Sequence, residues 1–250
     1  IIWQGTITLH AKTADVVYFC RTYSPIFELE DIFDERLLPK LDSVIHADRQ
    51  NCFIVLHTMG NHWSYSRRFP ARFDLFKPSG KTHPEKAYDM TDQEIISNSY
   101  DNSILYADYI IDSVIRIVKK QEALSYVTFL SDHGEGLFDN QHGELQFHRE
   151  ANYETLHVPF FLWTSDSYRQ HYPGKMQAIT NNKTKKTGFD NVFYTLLDLA
   201  NIGFAGMDET KSIAAPAFRE SDQKYYDALG RSSQYSDLSG PASQVSYRRW

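Results

Sequence analysis

The chain has 250 residues, 42% of them apolar and 23% charged, with 12 Gly and 9 Pro; this excludes collagen-like, low-complexity and disordered classes and allows a sizeable core. Lys and Arg number 26 against 32 Asp and Glu, a net charge of −6, which excludes the basic footprint of a nucleic-acid binder. The longest apolar runs, Phe53–Leu56 and Val158–Trp163, fall far short of the ~18–20 residues of a membrane-spanning helix.

The chain opens Ile1-Ile2-Trp3-Gln4-Gly5, with neither an initiator Met nor a signal-like segment, and reads as a cut start. Cys20 and Cys52 allow one disulfide at most, and Cys52, heading an apolar run, is expected to be a buried free thiol. Residues 52–57 predict a strand buried on both faces that delivers His57, Gly60, Asn61 and His62 to a loop. Thr91-Asp-Gln-Glu94 is a capping box opening a long helix. Ile104, Ala107, Ile111, Val114, Ile115 and Val118 form its apolar face, and Lys119-Lys120 its basic end. Tyr126–Leu130 predicts a second strand that runs into Ser131-Asp132-His133-Gly134-Glu135. Strand, helix and strand together predict a right-handed parallel βαβ unit.

A further strand is expected over His157–Trp163, with Pro159 near its start. A helix is expected over Phe189–Leu199, with Val192, Leu196 and Leu199 inward and Gly203 as the stop. From Asp208 the chain is polar, and after about residue 232 it reads as a partly ordered tail on a single domain spanning residues 1–250.

In open parallel α/β sheets, working residues gather beyond the carboxyl ends of the strands. Two polar clusters occupy such ends here, His57–His62 and Ser131–Glu135. The carboxylate of Asp132 beside the imidazole of His133 suits Zn²⁺ or a similar divalent ion. A third cluster, Asp139–His148, adds His142 and His148; one of them is expected to be functional, and spacing does not choose. His57, inside an apolar run, reads as a packed or supporting histidine rather than a ligand. His62 is balanced between a ligand and a surface residue. Trp63–Pro70 reads either as a wall for an anionic group, with Arg67 or Arg68 pairing a phosphate, or as a turn anchored by aromatics. No Walker loop, dinucleotide fingerprint, nucleophile elbow or Cys-based zinc motif is present.

Phe53–His62, Arg68-Phe69-Pro70, Tyr100-Asp101-Asn102-Ser103 with Tyr106 and Asp108, Ser131–Glu135, and Val158-Pro159-Phe160 with Trp163 occur in that order. In these motifs the chain resembles the catalytic domain of bacterial phosphoethanolamine transferases, members of the alkaline phosphatase and sulfatase superfamily. The resemblance implies an alkaline phosphatase-like three-layer sandwich with a mostly parallel central sheet. It also implies a Zn²⁺-dependent transfer of phosphoethanolamine from phosphatidylethanolamine to lipid A or lipopolysaccharide core, in the periplasm and from a membrane anchor. Asp132 and His133 match two zinc ligands. His62 matches a histidine that holds phosphoethanolamine or a second zinc, as does His142 or, less closely, His148. His57, Glu135 and Arg68 are supporting candidates.

In the family a Thr nucleophile and a glutamate ligand lie well upstream of the first His motif. Thr6, Thr8, Thr13 and Thr22 do not sit in that context. The resemblance therefore implies an incomplete zinc site and no turnover by these 250 residues alone. Other readings are a phosphoglycerol transferase, a sulfatase-like hydrolase, or a non-catalytic remnant or binding module of the same fold.

Overall fold

The computed structural model describes residues 2–3, 14–20, 31, 33–47, 51–83, 92–138, 145, 152–220, 223–226, 232–234 and 236. The chain groups into two compact units, Ile1–Glu122 with Leu137–Leu145, and Ala123–Gly136 with Gln146–Trp250. In the first unit, β1 (Ile2–Trp3), β2 (Tyr18–Phe19) and β3 (Leu56–His57) form a short parallel sheet in the order β2-β1-β3. This unit also holds two helices, α1 (Leu38–His46), which the sequence did not lead one to expect, and α2 (Gln93–Lys119).

The second unit is built on β4 (Tyr126–Leu130) and β5 (Phe160–Thr164), which pair antiparallel from Tyr126 opposite Thr164 to Leu130 opposite Phe160. A three-layer sandwich on a mostly parallel sheet is therefore not what the described residues form. The parallel βαβ expectation fails at the same point, because β3 pairs with β1 whereas β4 pairs with β5. Periodicity and apolar runs identify strands, but the choice of partner depends on which backbone edge meets which, and antiparallel pairing leaves one face free to meet solvent. Phe161 on β5 is 41% exposed accordingly.

The strand expected over residues 52–57 shrinks to Leu56–His57, and Phe53 and Cys52 are exposed instead of buried. Both cysteines are free thiols. Only the last two residues of that run join a ladder, so the first four have no sheet face to bury against.

Helix α2 runs for 27 residues, about 40 Å at 1.5 Å per residue. It starts at Gln93 with Asp92 as N-cap and without a side-chain cap bond; Thr91, the expected cap, lies outside the described residues. Its buried stripe is Ile96, Ser99, Asn102, Ser103, Tyr106, Ile110 and Val114, and Ile104 is exposed. The stripe is rotated from the apolar one because Ser99, Asn102 and Ser103 in it are polar side chains that hydrogen-bond neighbouring segments. Asn102 Oδ1 accepts the N–H groups of Leu75 and Phe76 at 2.9 Å, and its Nδ2 donates to Phe76 O at 2.9 Å. Ser99 Oγ accepts the Gly80 N–H at 2.8 Å, and Asn98 Nδ2 donates to Pro78 O at 2.9 Å. Further along, Tyr106 and Ile110 pack with Phe69, Phe33, Leu38 and Phe73.

The second unit repeats the device. Helices α3 (Tyr153–Leu156), α4 (Asp166–His171), α5 (Pro173–Asn182) and α6 (Phe189–Leu199) accompany the β4–β5 pair. The expected α6 span is matched, but its buried face is Asn191, Thr195 and Leu199. Asn191 Nδ2 donates to Lys211 O, Thr195 Oγ1 accepts the Ile213 N–H, and Asn182 Nδ2 donates to Ile213 O and Ala215 O, all at 3.0–3.1 Å. This draws Ser212, Ala214 and Phe218 into the interior, although the chain after Asp208 reads as polar. Tyr168, Leu199 and Ala214 form the core there, with Tyr126 and Leu162 against it.

Helix α6 ends in a left-handed Asn201, with the Ile202 N–H on Leu197 O and the Asn201 N–H on Asp198 O. Asn201, rather than Gly203, is thus the stop. A last antiparallel pair joins β6 (Lys224–Tyr226) and β7 (Ser232–Gln234); of the expected tail, residues 235 and 237–250 lie outside the described residues.

Asn102→Ala removes a fully buried amide whose oxygen accepts the N–H groups of Leu75 and Phe76. It is expected to destabilise the protein by about 2–4 kcal/mol in urea unfolding, whereas Ile104→Ala on the exposed side stays within about 0.5 kcal/mol.

Candidate functional site

The first candidate segment lies in the first unit, where β3 ends in the loop from Thr58 to Arg68. Gly60 takes a left-handed φ of 52°, a conformation that favours glycine and lets the chain turn out of the strand. Asp34 opens the 3-10 turn Asp34–Leu37 ahead of α1. Its two carboxylate oxygens accept the Met59 N–H at 2.9 Å and the Gly60 N–H at 3.0 Å. Arg68 donates from Nε to His62 O at 2.7 Å and from Nη2 to Trp63 O at 2.8 Å. Asn61 Nδ2 donates to Ser103 Oγ at 2.7 Å, tying the loop to α2. Beneath it Tyr65 is fully buried, edge-on to Trp63 and Tyr100.

His62 is half-buried, with Nδ1 2.6 Å from Trp63 O. His57 is half-buried in β3, opposite Trp3. Arg68 is 1% exposed, so its guanidinium faces the backbone of the loop rather than a phosphate. Arg67 lies at the surface near Asp31. Burial pushes the Asp34 carboxyl above the usual carboxylate range, opposed by the two N–H bonds and the charge of Arg68.

The second candidate segment lies in the second unit, at the carboxyl end of β4. Ser131 Oγ donates to His133 O at 2.7 Å, and Asp132 Oδ1 accepts the His133 N–H at 3.1 Å. Gly134 donates its N–H to Thr155 O at 2.8 Å. A Cβ on Gly134 would lie 2.1 Å from Glu154 O, so only glycine fits against α3. That helix is itself fixed by a reciprocal cap between Asn152 and Thr155. His133 Nδ1 is 2.9 Å from Gly134 O; a carbonyl only accepts, so Nδ1 carries a proton and Nε2 is the nitrogen left for a cation.

His133 Nε2 and Asp132 Oδ1 are 4.0 Å apart, with the Asp132 side chain 88% exposed. Two donors on one tetrahedral cation sit roughly 3.4 Å apart, somewhat closer than this pair. An imidazole whose other nitrogen is held by a carbonyl is the usual form of a zinc-ligating histidine. The pair thus fits half of a tetrahedral donor set. Among the described residues no group of three or more His, Cys, Asp or Glu is placed to hold a metal.

Glu135 follows Gly134 and is half-buried. His142, His148, Thr6, Thr8, Thr13 and Thr22 lie outside the described residues. The two clusters do not share the rim of one parallel sheet, because β3 and β4 belong to separate sheets and β4 pairs antiparallel. Sequence reasoning missed Asp34, because an acidic residue at a helix start is ordinary dipole complementation. It also missed the Asn152–Thr155 cap under Gly134, for which the Asn-x-x-Thr spacing is the available signal.

The chain belongs to the sulfatase family, whose family model matches residues 2–202. It is similar to phosphoethanolamine transferase EptC of Escherichia coli strain K12, 28% identical over 86% of this chain and 36% of that protein. Phosphoethanolamine transferase EptA of Salmonella typhimurium is 32% identical over 77% of this chain and 36% of that protein. The chain thus spans about a third of the length of the curated relatives it matches.

Among solved structures, the C-terminal periplasmic domain of E. coli EptC in complex with Zn shares the fold at a TM-score of 0.77 and 23% identity, over 95% of this chain and 69% of that one. The corresponding domain of Campylobacter jejuni EptC aligns at 0.62 and 29% identity, over 76% and 60%. Among the described residues no helix is long and apolar enough to cross a membrane.

Gly134→Ala forces the loop away from Glu154 O and is expected to cost about 1–3 kcal/mol, read by thermal unfolding. Asp34 has a folded pKa above its unfolded one, so its contribution to stability is full below the unfolded pKa and is lost as pH rises through the folded value. The unfolding free energy of wild type relative to Asp34→Asn is therefore expected to fall as pH rises from about 4, measured by urea unfolding across a pH series.

Proposed function

We propose that the native protein transfers phosphoethanolamine from phosphatidylethanolamine to lipid A or lipopolysaccharide core, as a periplasmic domain tethered to the membrane. The observation that carries this reading is the Asp132–His133 donor pair at the end of β4, in a sulfatase-family chain whose relatives are phosphoethanolamine transferases. Asp132 and His133 would hold Zn²⁺. When bound, the ion acts as a Lewis acid that neutralises charge developing on the phosphoryl oxygens.

The chain's own groups prepare that role. Asp132 would offer a carboxylate oxygen to the ion, and Gly134 O, by holding the Nδ1 proton, leaves the His133 Nε2 lone pair for it. The Gly134 N–H bond to Thr155 O fixes the loop on α3. His62 would contact the phosphoethanolamine group or a second zinc, with His142 or His148 as its counterpart, and His57, Glu135 and Arg68 would support these residues.

In the native protein, release of a labelled ethanolamine head group from phosphatidylethanolamine onto lipopolysaccharide is the expected activity. Asp132→Asn or His133→Ala should lower it at least about a hundredfold, and chelation should abolish it until zinc is restored. Turnover of a sulfate ester in place of head-group transfer would overturn the reading. Anomalous zinc density away from Asp132 and His133 would overturn the site.

A further inference from the structure

Asp34 and Arg68 are ionic side chains to which the proposed reaction gives no chemical step, yet both are almost wholly buried, at 5% and 1% exposure. They grip opposite ends of one five-residue stretch, residues 59–63. Asp34 takes the N–H groups of Met59 and Gly60, one on each carboxylate oxygen, and Arg68 takes the carbonyls of His62 and Trp63 through two guanidinium nitrogens. The backbone that carries His62 is held by an anion at one end and a cation at the other, and the Asn61 side chain between them is tied to Ser103. Holding a loop does not require ions. At residues 75–76 the neutral amide of Asn102 takes two N–H groups at similar distances. Ionic donors and acceptors cost more to bury than neutral ones and make shorter, stronger hydrogen bonds. The Arg68 bonds, at 2.7 and 2.8 Å, are shorter than the 2.9 Å bonds of Asn102, whereas the Asp34 bonds, at 2.9 and 3.0 Å, match them.

We propose that Asp34 and Arg68 are positioning residues that fix the backbone of residues 59–63 and so hold His62 in place for the substrate phosphate group. The kinetic part rests on the transferase reading; the positioning itself does not. A shift of about 1 Å in a substrate-contacting group can cost on the order of a hundredfold in rate, which gives a rigid grip its use.

The test is amide hydrogen exchange on the native protein, together with steady-state kinetics. In wild type the Met59 and Gly60 amides should exchange slowly, as hydrogen-bonded amides do. Asp34→Asn and Arg68→Lys should speed exchange across residues 57–63 by at least about tenfold while α2 stays protected. Val114→Ala, a core change on α2 remote in sequence from the loop, should do the reverse. In both loop variants KM for phosphatidylethanolamine should rise about tenfold with a smaller change in kcat.

Unprotected Met59 and Gly60 amides in wild type would overturn the proposal, as would variants whose loop and α2 loosen together. If Asp34→Asn does not fold, Arg68→Lys and the wild-type protection decide. A wild-type protein that transfers no phosphoethanolamine defeats the transferase reading alone, since the exchange result stands without it.

Discussion

The structure depends on buried amide and hydroxyl side chains that give irregular backbone the hydrogen bonds a sheet would otherwise supply. A buried N–H or C=O without a partner is costly, and long stretches of this chain run outside any ladder among the described residues. Asn98, Ser99 and Asn102 on α2 meet that need for residues 75–80. Asn182, Asn191 and Thr195 meet it for residues 211–215. The helices serve as racks of donors and acceptors as much as apolar walls, so a substitution that is mild on an ordinary helix face is severe here.

The candidate site follows from the same logic with stronger groups. Around His62 the grip becomes ionic, through Asp34 and Arg68. Around His133 it becomes steric, through a glycine pressed on α3 and a carbonyl that sets the imidazole tautomer. Each device holds backbone first and a functional side chain second. His62 is left half-buried while its supports Asp34 and Arg68 are buried.

Much of the element pattern was legible. Strand β4 and helix α6 occupy their expected spans, because an apolar run bounded by turn signals and a 3.6-residue period are local properties. The inward faces of α2 and α6 were not legible, since a periodicity that counts only apolar residues cannot see Asn102 or Thr195 as core. Of the candidate site, the Asp132-His133-Gly134 string could be read directly, because its spacing is its geometry. Asp34 could not, because its role comes from meeting residues 25 and 26 positions away.

The sequence by itself determined the sulfatase-like family and the residue types at the candidate site, because these are carried by short ordered motifs. It also set the two longest helices, α2 and α6, whereas α1, α3, α4 and α5 were not read from it. Only the tertiary structure decided strand pairing, turning an expected parallel sheet into an antiparallel β4–β5 ladder. It alone decided that Arg68 turns inward to backbone carbonyls and that Phe53 faces solvent. The physical reason is shared: pairing, burial and the direction of a charge depend on which distant backbone groups still need a partner, and no local pattern encodes that.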